Sequence, residues 1–213
     1  MAENDPHAAA HLHRHLHSHL PPDPALRVKA LESLVVERGL VAPETLDAWV
    51  EVYAEHIGPK RGAQVIARAW TDPGFRARLL DNATDAIAEF DFDGNATGHL
   101  KAVENTDTQH NLVVCTLCSC YPFSILGMSP GWYKSAEYRA RAVREPRKVL
   151  GEFGVSLAPE VSVRVWDSTA ELRYLVVPQR PEGTEGWDEA RLAAIVTRNA
   201  MIGTDRDLST EAA

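Results

Sequence analysis

All three cysteines of this 213-residue chain, Cys115, Cys118 and Cys120, fall inside one six-residue window. That window must be a tight turn that gathers three sulfurs around one point, and the rest of the fold must hold the turn. A secreted disulfide framework would spread an even number of cysteines along the chain, so an odd cluster indicates metal or redox chemistry. Thiolates are soft ligands that suit late transition metals. A tetrahedral zinc site needs a fourth ligand; His110 could supply one, but it stands at the far end of the β-branched run Leu112, Val113, Val114 that leads into the cluster. An iron–sulfur cluster normally takes four cysteines, a disulfide would leave one thiol over, and a single nucleophilic cysteine explains one of the three. Functional metal binding is the reading the cluster supports. A structural zinc site or a redox pair is the competing one.

Composition narrows the setting. With 45% apolar residues the chain can bury a sizeable core, and a net charge of −8 argues against nucleic acid as a partner, which would want a basic footprint. No apolar run approaches the roughly 20 residues that cross a membrane, and the N-terminus lacks the charged-then-apolar layout of a secretion signal. The expectation is a soluble cytoplasmic protein with neither nucleic acid nor membrane as partner.

Residues 1–23 read as a disordered tail in which His7, His11, His13, His15, His17 and His19 alternate with other residues, ending at Pro21-Pro22. Loose capture of a divalent transition metal is the sharper reading of that tail. Residues 24–90 read as a helical N-terminal arm. Val28, Leu31 and Val35 share a face, with Gly39 as a stop. Leu46, Trp49, Val50, Tyr53 and Ile57 keep amphipathic spacing, and Ala63, Ile66, Ala67 and Trp70 repeat it. Thr71-Asp72-Pro73 looks like a cap and first turn for a helix carrying Phe75, Leu79 and Leu80. Asp91-Phe92-Asp93-Gly94-Asn95 fails the calcium-loop pattern, because Ala96 and Ala102 stand where glycine and glutamate are needed, and reads as a polar loop. Residues 91–204 form the catalytic α+β region: a strand from His110 to Cys115, helix from about Ser135 to Phe153 broken at Pro146, strands at Val161–Val165 and Leu172–Val177 about a turn at Asp167-Ser168-Thr169, and a helix over 188–198. Residues 205–213 are a C-terminal tail. The fold expected is α+β, a helical arm followed by a layered αββα-type domain that carries the cysteine loop.

Cys-Thr-Leu-Cys-Ser-Cys-Tyr-Pro over 115–122 resembles the metal-binding claw of nitrile hydratase α subunits. The resemblance runs over roughly 24–204. It takes in Ala69-Trp70-Thr71-Asp72-Pro73, Val103-Glu104-Asn105-Thr106, Leu126-Gly127, Trp132-Tyr133-Lys134, Tyr138-Arg139-Ala140-Arg141, Pro146-Arg147, Val165-Trp166-Asp167-Ser168, Glu171-Leu172-Arg173-Tyr174, Pro178-Gln179-Arg180-Pro181 and Gly183-Thr184-Glu185. It implies hydration of a nitrile to an amide at one low-spin trivalent metal. The ligands would be the sulfurs of Cys115, Cys118 and Cys120 and the ionised main-chain nitrogens of Ser119 and Cys120. Thr116 and Tyr121 match the cobalt-type pattern, so Co(III) is expected ahead of Fe(III). Cys118 is expected as sulfinate and Cys120 as sulfenate, an uncommon pair because sulfenates are normally fleeting. Tyr121 and Phe123 would line the pocket, or else simply pack in the core. Asp167 and Glu171 would support the ligands, or else serve as a turn former and a surface ion pair. The resemblance also implies an αβ heterodimer, assembled as a heterotetramer, with arginines of the β subunit on the oxidised cysteines and an activator protein that loads the metal. The basic stretch Lys134, Arg139, Arg141, Arg144, Arg147 and Lys148 is then either a solvated helix face or a β-subunit contact.

Two positions depart from the pattern. Phe123 replaces the tryptophan usual after Cys-Tyr-Pro, and Ala96 falls where a glutamine near the metal is often found. Phe123 leaves open a second family member, the γ subunit of thiocyanate hydrolase, although Val103-Glu104-Asn105-Thr106 and Trp166-Asp167 look more like nitrile hydratase. A non-catalytic cobalt or zinc carrier is a third reading, and it predicts exchangeable divalent metal.

Overall fold

Short polar side chains start the helices where the sequence puts them. Asp72 accepts from the Phe75 N–H at 3.0 Å, with Pro73 in the first turn, and Ser135, Asp188 and Thr197 cap three later helices in the same way. The computed structural model describes residues 23–51, 58–90, 98–118, 120–206 and 208–210. The histidine tail, the polar loop at 91–95, Ala96 and Ser119 lie outside those residues.

The chain divides into two units, Met1–Val52 and Tyr53–Ala213. The described part of the first holds α1 (Asp23–Glu37) and α2 (Pro43–Glu51). Gly39 ends α1 at φ +64°, and Gly39 and Leu40 donate back to the carbonyls of Val36 and Val35, the left-handed stop expected of glycine. Leu26, Val28, Leu31 and Leu34 are exposed.

The second unit begins with α3 (Gly58–Thr71), α4 (Pro73–Asp81) and α5 (Ala83–Ile87), followed by a 3-10 turn at Ala88–Phe90. Between its second and third strands come α6 (Phe123–Leu126), a 3-10 turn at Gly131–Lys134, α7 (Ala136–Arg144) and α8 (Pro146–Glu152), and after its fourth come α9 (Glu189–Ile195) and α10 (Arg198–Ile202). Its strands are β1 (His99–Glu104), β2 (Gln109–Val114), β3 (Ser162–Asp167) and β4 (Leu172–Val177). The strands expected at 110–115, 161–165 and 172–177 are present, and β1 is an addition. Its exposed His99 and Lys101 and its small Ala102 leave only a faint alternation. β1 does not pair with β2, nor β3 with β4. β1 runs parallel to β4 and β2 parallel to β3, so the turns at 105–108 and 168–171 each carry the chain from one two-stranded sheet to the other. Parallel pairing demands a long crossover, and the crossover from β2 to β3 contains the cysteine window, α6, α7 and α8.

Phe75, Leu79, Ile87, Leu112, Ile125, Leu150 and Leu175 are fully buried in the core between helices and sheets, each worth about 1.5–3 kcal/mol. Gly62 lets α3 approach the end of α6, since a Cβ there would lie 2.7 Å from Leu126 Cδ2. At the start of β2 the polar groups close on each other. Asn105 Oδ1 accepts from the Asn111 N–H at 2.7 Å, its amide nitrogen faces His110 Nδ1 at 3.4 Å, and His110 Nε2 meets the Gly203 carbonyl at 2.7 Å. Among the described residues, no helix is long and apolar enough to cross a membrane.

Candidate metal centre

β2 delivers the cysteines. Its last four residues are buried, and Cys115 follows them with no exposed surface. The chain then turns out of the sheet at the carboxyl end of a parallel pair, the usual place for a site in such sheets. Cys118 is exposed and Cys120 half-buried. Their sulfurs stand close: Cys115 to Cys118 is 3.4 Å, Cys118 to Cys120 is 3.2 Å, and all three fall within 4.8 Å of one another. A disulfide bond would need about 2.05 Å.

Those spacings test whether one ion fits. With metal–sulfur bonds of about 2.3 Å, sulfurs at right angles around an ion lie ~3.3 Å apart, whereas tetrahedral sulfurs lie ~3.8 Å apart. The observed 3.2 and 3.4 Å match the right-angled arrangement of a square or octahedral centre. The donor set agrees, since soft thiolates select transition metals. Burial, and then the neighbouring thiols, push the Cys120 thiol up to about 12, so its thiolate form is disfavoured unless a cation stands beside it.

The protein holds this loop by its main chain. Asp167, opposite Val114 in the β2–β3 register, accepts from the Thr116 N–H at 2.8 Å and from its hydroxyl at 2.5 Å. Tyr138 donates to the Val113 carbonyl at 2.7 Å and Tyr133 to the Cys120 carbonyl at 2.9 Å. Arg139 Nη1 reaches the carbonyls of Cys118 and Thr116 at 3.2 and 3.5 Å. Tyr121 packs edge-on against Tyr133 with ring centres 5.2 Å apart. Burial raises both phenols above the ordinary tyrosine value; Tyr133 donates to the Cys120 carbonyl, whereas the buried Tyr121 hydroxyl has no hydrogen-bond partner among the described residues. Cys118 and Cys120 line a cavity of about 340 Å³ together with Tyr121, Phe123, Met128, Ser129, Lys134 and Arg173, with Cys115 buried behind them.

Residues 22–205 match the family model described as nitrile hydratase, alpha chain. The chain belongs to the nitrile hydratase alpha-chain family. It is 53% identical to a nitrile hydratase subunit alpha of Rhodococcus sp over 84% of this chain and 90% of that one. It is 49% identical to the cobalt-containing nitrile hydratase subunit alpha of Pseudonocardia thermophila over 84% and 88%. The thiocyanate hydrolase subunit gamma of Thiobacillus thioparus is 42% identical over 82% of this chain and 76% of its own length. Among solved structures, a double mutant of the Fe-type nitrile hydratase from Comamonas testosteroni Ni1 superposes with a TM-score of 0.77 at 43% identity, covering 87% of this chain and 92% of that one.

Within the family framework, the structure brings Cys115, Cys118, Cys120, Tyr121 and Asp167 into one site. Ser119 is not among the described residues. Glu171 lies across the 168–171 turn: it is exposed, its carboxylate accepts from the Thr169 hydroxyl at 3.2 Å, and no described hydrogen bond joins it to the claw. The basic stretch is not one surface. Arg141 pairs with Glu145 and Glu152, Lys148 pairs with Glu145, Arg147 grips carbonyls between Leu157 and Val161, Lys134 lines the cavity, and Arg139 bonds to carbonyls of the cysteine loop. In the sequence Tyr133 and Tyr138 stand out only through the family resemblance. Their hydroxyls bind backbone carbonyls, a partner every residue offers, so no sequence pattern marks them.

Proposed function

We propose that this chain is the α subunit of an enzyme that hydrates a nitrile to the amide at a cobalt(III) ion. The ion would be held by the sulfurs of Cys115, Cys118 and Cys120 and the main-chain nitrogens of Ser119 and Cys120. The observation that carries the reading is the gathering of three cysteine sulfurs within 4.8 Å of one another beside a cavity that Cys118 and Cys120 line, in a chain about half identical to cobalt-containing α subunits. When bound, the ion supplies Lewis acidity that makes water nucleophilic near neutral pH. The chain's own residues do the rest. Asp167, Tyr133 and Tyr138 hold the loop in shape, Tyr121, Phe123 and Met128 wall the cavity, and Lys134 and Arg173 place positive charge beside it. Cys118 as sulfinate and Cys120 as sulfenate would carry their oxygens toward the same space. A β subunit completes the site in a heterodimer that pairs into a heterotetramer, and an activator loads the metal in the cytoplasm, where thiols stay reduced beforehand.

Thiocyanate is the second reading, favoured by Phe123 at the tryptophan position and by the two cations on the cavity wall, which suit an anion. Co-expression with the neighbouring β-subunit gene in cobalt medium, followed by assay on a small neutral nitrile and on thiocyanate, separates the two. Amide formation with thiocyanate untouched is the expected result. Thiocyanate consumption without amide formation would replace this reading with the second, and neither activity in a cobalt-loaded complex would remove both.

A further inference from the structure

We propose that Arg139 is the positioning residue through which this chain fixes the metal-holding shape of the claw and offsets its negative charge, acting on the main-chain carbonyls of Thr116 and Cys118. The proposal rests on the metal-claw reading above. Arg139 sits on α7, half-buried, with its Nη1 at 3.2 Å from the Cys118 oxygen and 3.5 Å from the Thr116 oxygen. One nitrogen bridging two carbonyls two residues apart sets the curl of the loop from outside, while the sulfurs remain on the cavity side. The side chain is itself aimed by a bond from Nε to the Ser135 carbonyl at 3.4 Å, and Ser135 caps the same helix. Among the described residues Arg139 forms no ion pair with a carboxylate, in contrast to Arg141 two residues on, which is taken by Glu145 and Glu152. Its charge is therefore directed at the claw.

That charge has something to answer. Three thiolates converge within 4.8 Å, a strongly anionic grouping once deprotonated. The Cys118 carbonyl also belongs to the peptide unit that contains the nitrogen of residue 119. Amide resonance links that nitrogen and that oxygen, so electron density donated by a ligating nitrogen is shared with the atom Arg139 touches. A guanidinium cannot be deprotonated in this setting and makes charge-assisted hydrogen bonds of roughly twice ordinary strength. Arg139 thus works on the nitrogen side of the ligand set through the oxygen side of the same amide.

The test uses the αβ complex loaded with cobalt, comparing wild type with Arg139→Gln, Arg139→Lys and the control Arg141→Gln. Arg139→Gln keeps donor groups and removes charge. It should release cobalt to a chelator about 10- to 100-fold faster, the usual penalty for losing a group that supports metal ligands. Its sulfur-to-cobalt charge-transfer absorption should move to higher energy, because the amide donates more strongly once the cation is gone. Arg139→Lys should fall between it and wild type on both readouts, and is the variant to read if Arg139→Gln does not fold. Arg141→Gln breaks ion pairs on the same helix and should leave both readouts where they are. Wild-type retention with an unmoved absorption band in the Arg139 variants would overturn the proposal while the claw reading stands. A wild-type complex that holds no cobalt would remove the claw reading and this proposal together.

Discussion

The two ends of β2 use polar groups in opposite ways. At its start, Asn105, His110 and Asn111 are buried and engage one another, the Glu104 and Gly203 carbonyls and the Trp166 indole, with bonds of 2.6–3.4 Å. Every partner there is uncharged, and the pattern assigns the histidine: Asn105 holds its oxygen toward the Asn111 N–H, so its amide donates to Nδ1 and the ring is left neutral with its proton on Nε2. At the other end, Cys115 leads into three clustered sulfurs, of which Cys115 also accepts from the Cys118 N–H and Cys118 and Cys120 line a cavity. A buried polar network is stable when it is closed. The cysteine loop is held on its carbonyl side by Asp167, Tyr133, Tyr138 and Arg139, while its sulfurs gather within 4.8 Å of one another, a grouping that could hold a metal ion. One strand therefore carries a closed polar network at one end and leads into a cluster of three sulfurs at the other.

The comparison can be broken most severely at Gly203. Its φ is +92° and a Cβ there would stand 1.9 Å from the Asn111 carbonyl oxygen. Gly203→Ala should cost about 4 kcal/mol or more, giving little folded protein in a denaturant melt, and a wild-type melt would show that the network is looser than described. Cys118→Ser is the counterpart at the sulfur end. The side chain is exposed, so the metal-free chain should keep its stability to within about 0.5 kcal/mol while tightly held cobalt and turnover both disappear. A variant that keeps its cobalt would mean that Cys118 is not a ligand.

How much of this division the sequence shows follows from the range of the forces involved. The cysteine window, the Asp72-Pro73 cap, the Gly39 stop and the β-branched run into Cys115 are local patterns, and each stands where it was expected. The pairing of β1 with β4 and β2 with β3 is decided by contacts between distant segments, which leave no periodic trace. Gly203 looks like an ordinary helix stop until the Asn111 carbonyl is placed beside it. The grip of Tyr133, Tyr138 and Arg139 was hidden for a related reason, since a run of basic residues does not show which one has found carbonyls and which have found carboxylates.

Two smaller effects sharpen the contrast. Asp167→Ala removes both acceptors from Thr116 and should loosen cobalt retention about tenfold with the fold intact by circular dichroism; undiminished retention would assign Asp167 to the turn alone. The smallest effect concerns pH. Burial lowers the His110 value below the ordinary histidine range, so the unfolded chain binds the proton more readily than the folded one. The stability this gives is present above the unfolded value of about 6.5 and is lost as pH falls below it. Melts of wild type and His110→Gln between pH 7.5 and 5 should show a slope in wild type that the variant lacks. Equal slopes would place the titration elsewhere.

Metal analysis with intact mass, on the chain co-purified with its β subunit, tests the central claim most directly. The account predicts about one cobalt per chain that a chelator does not remove, and roughly three added oxygens on the Cys115–Cys120 peptide, one sulfinate and one sulfenate. Zinc that a chelator strips readily, from cysteines that carry no oxygen, would contradict it.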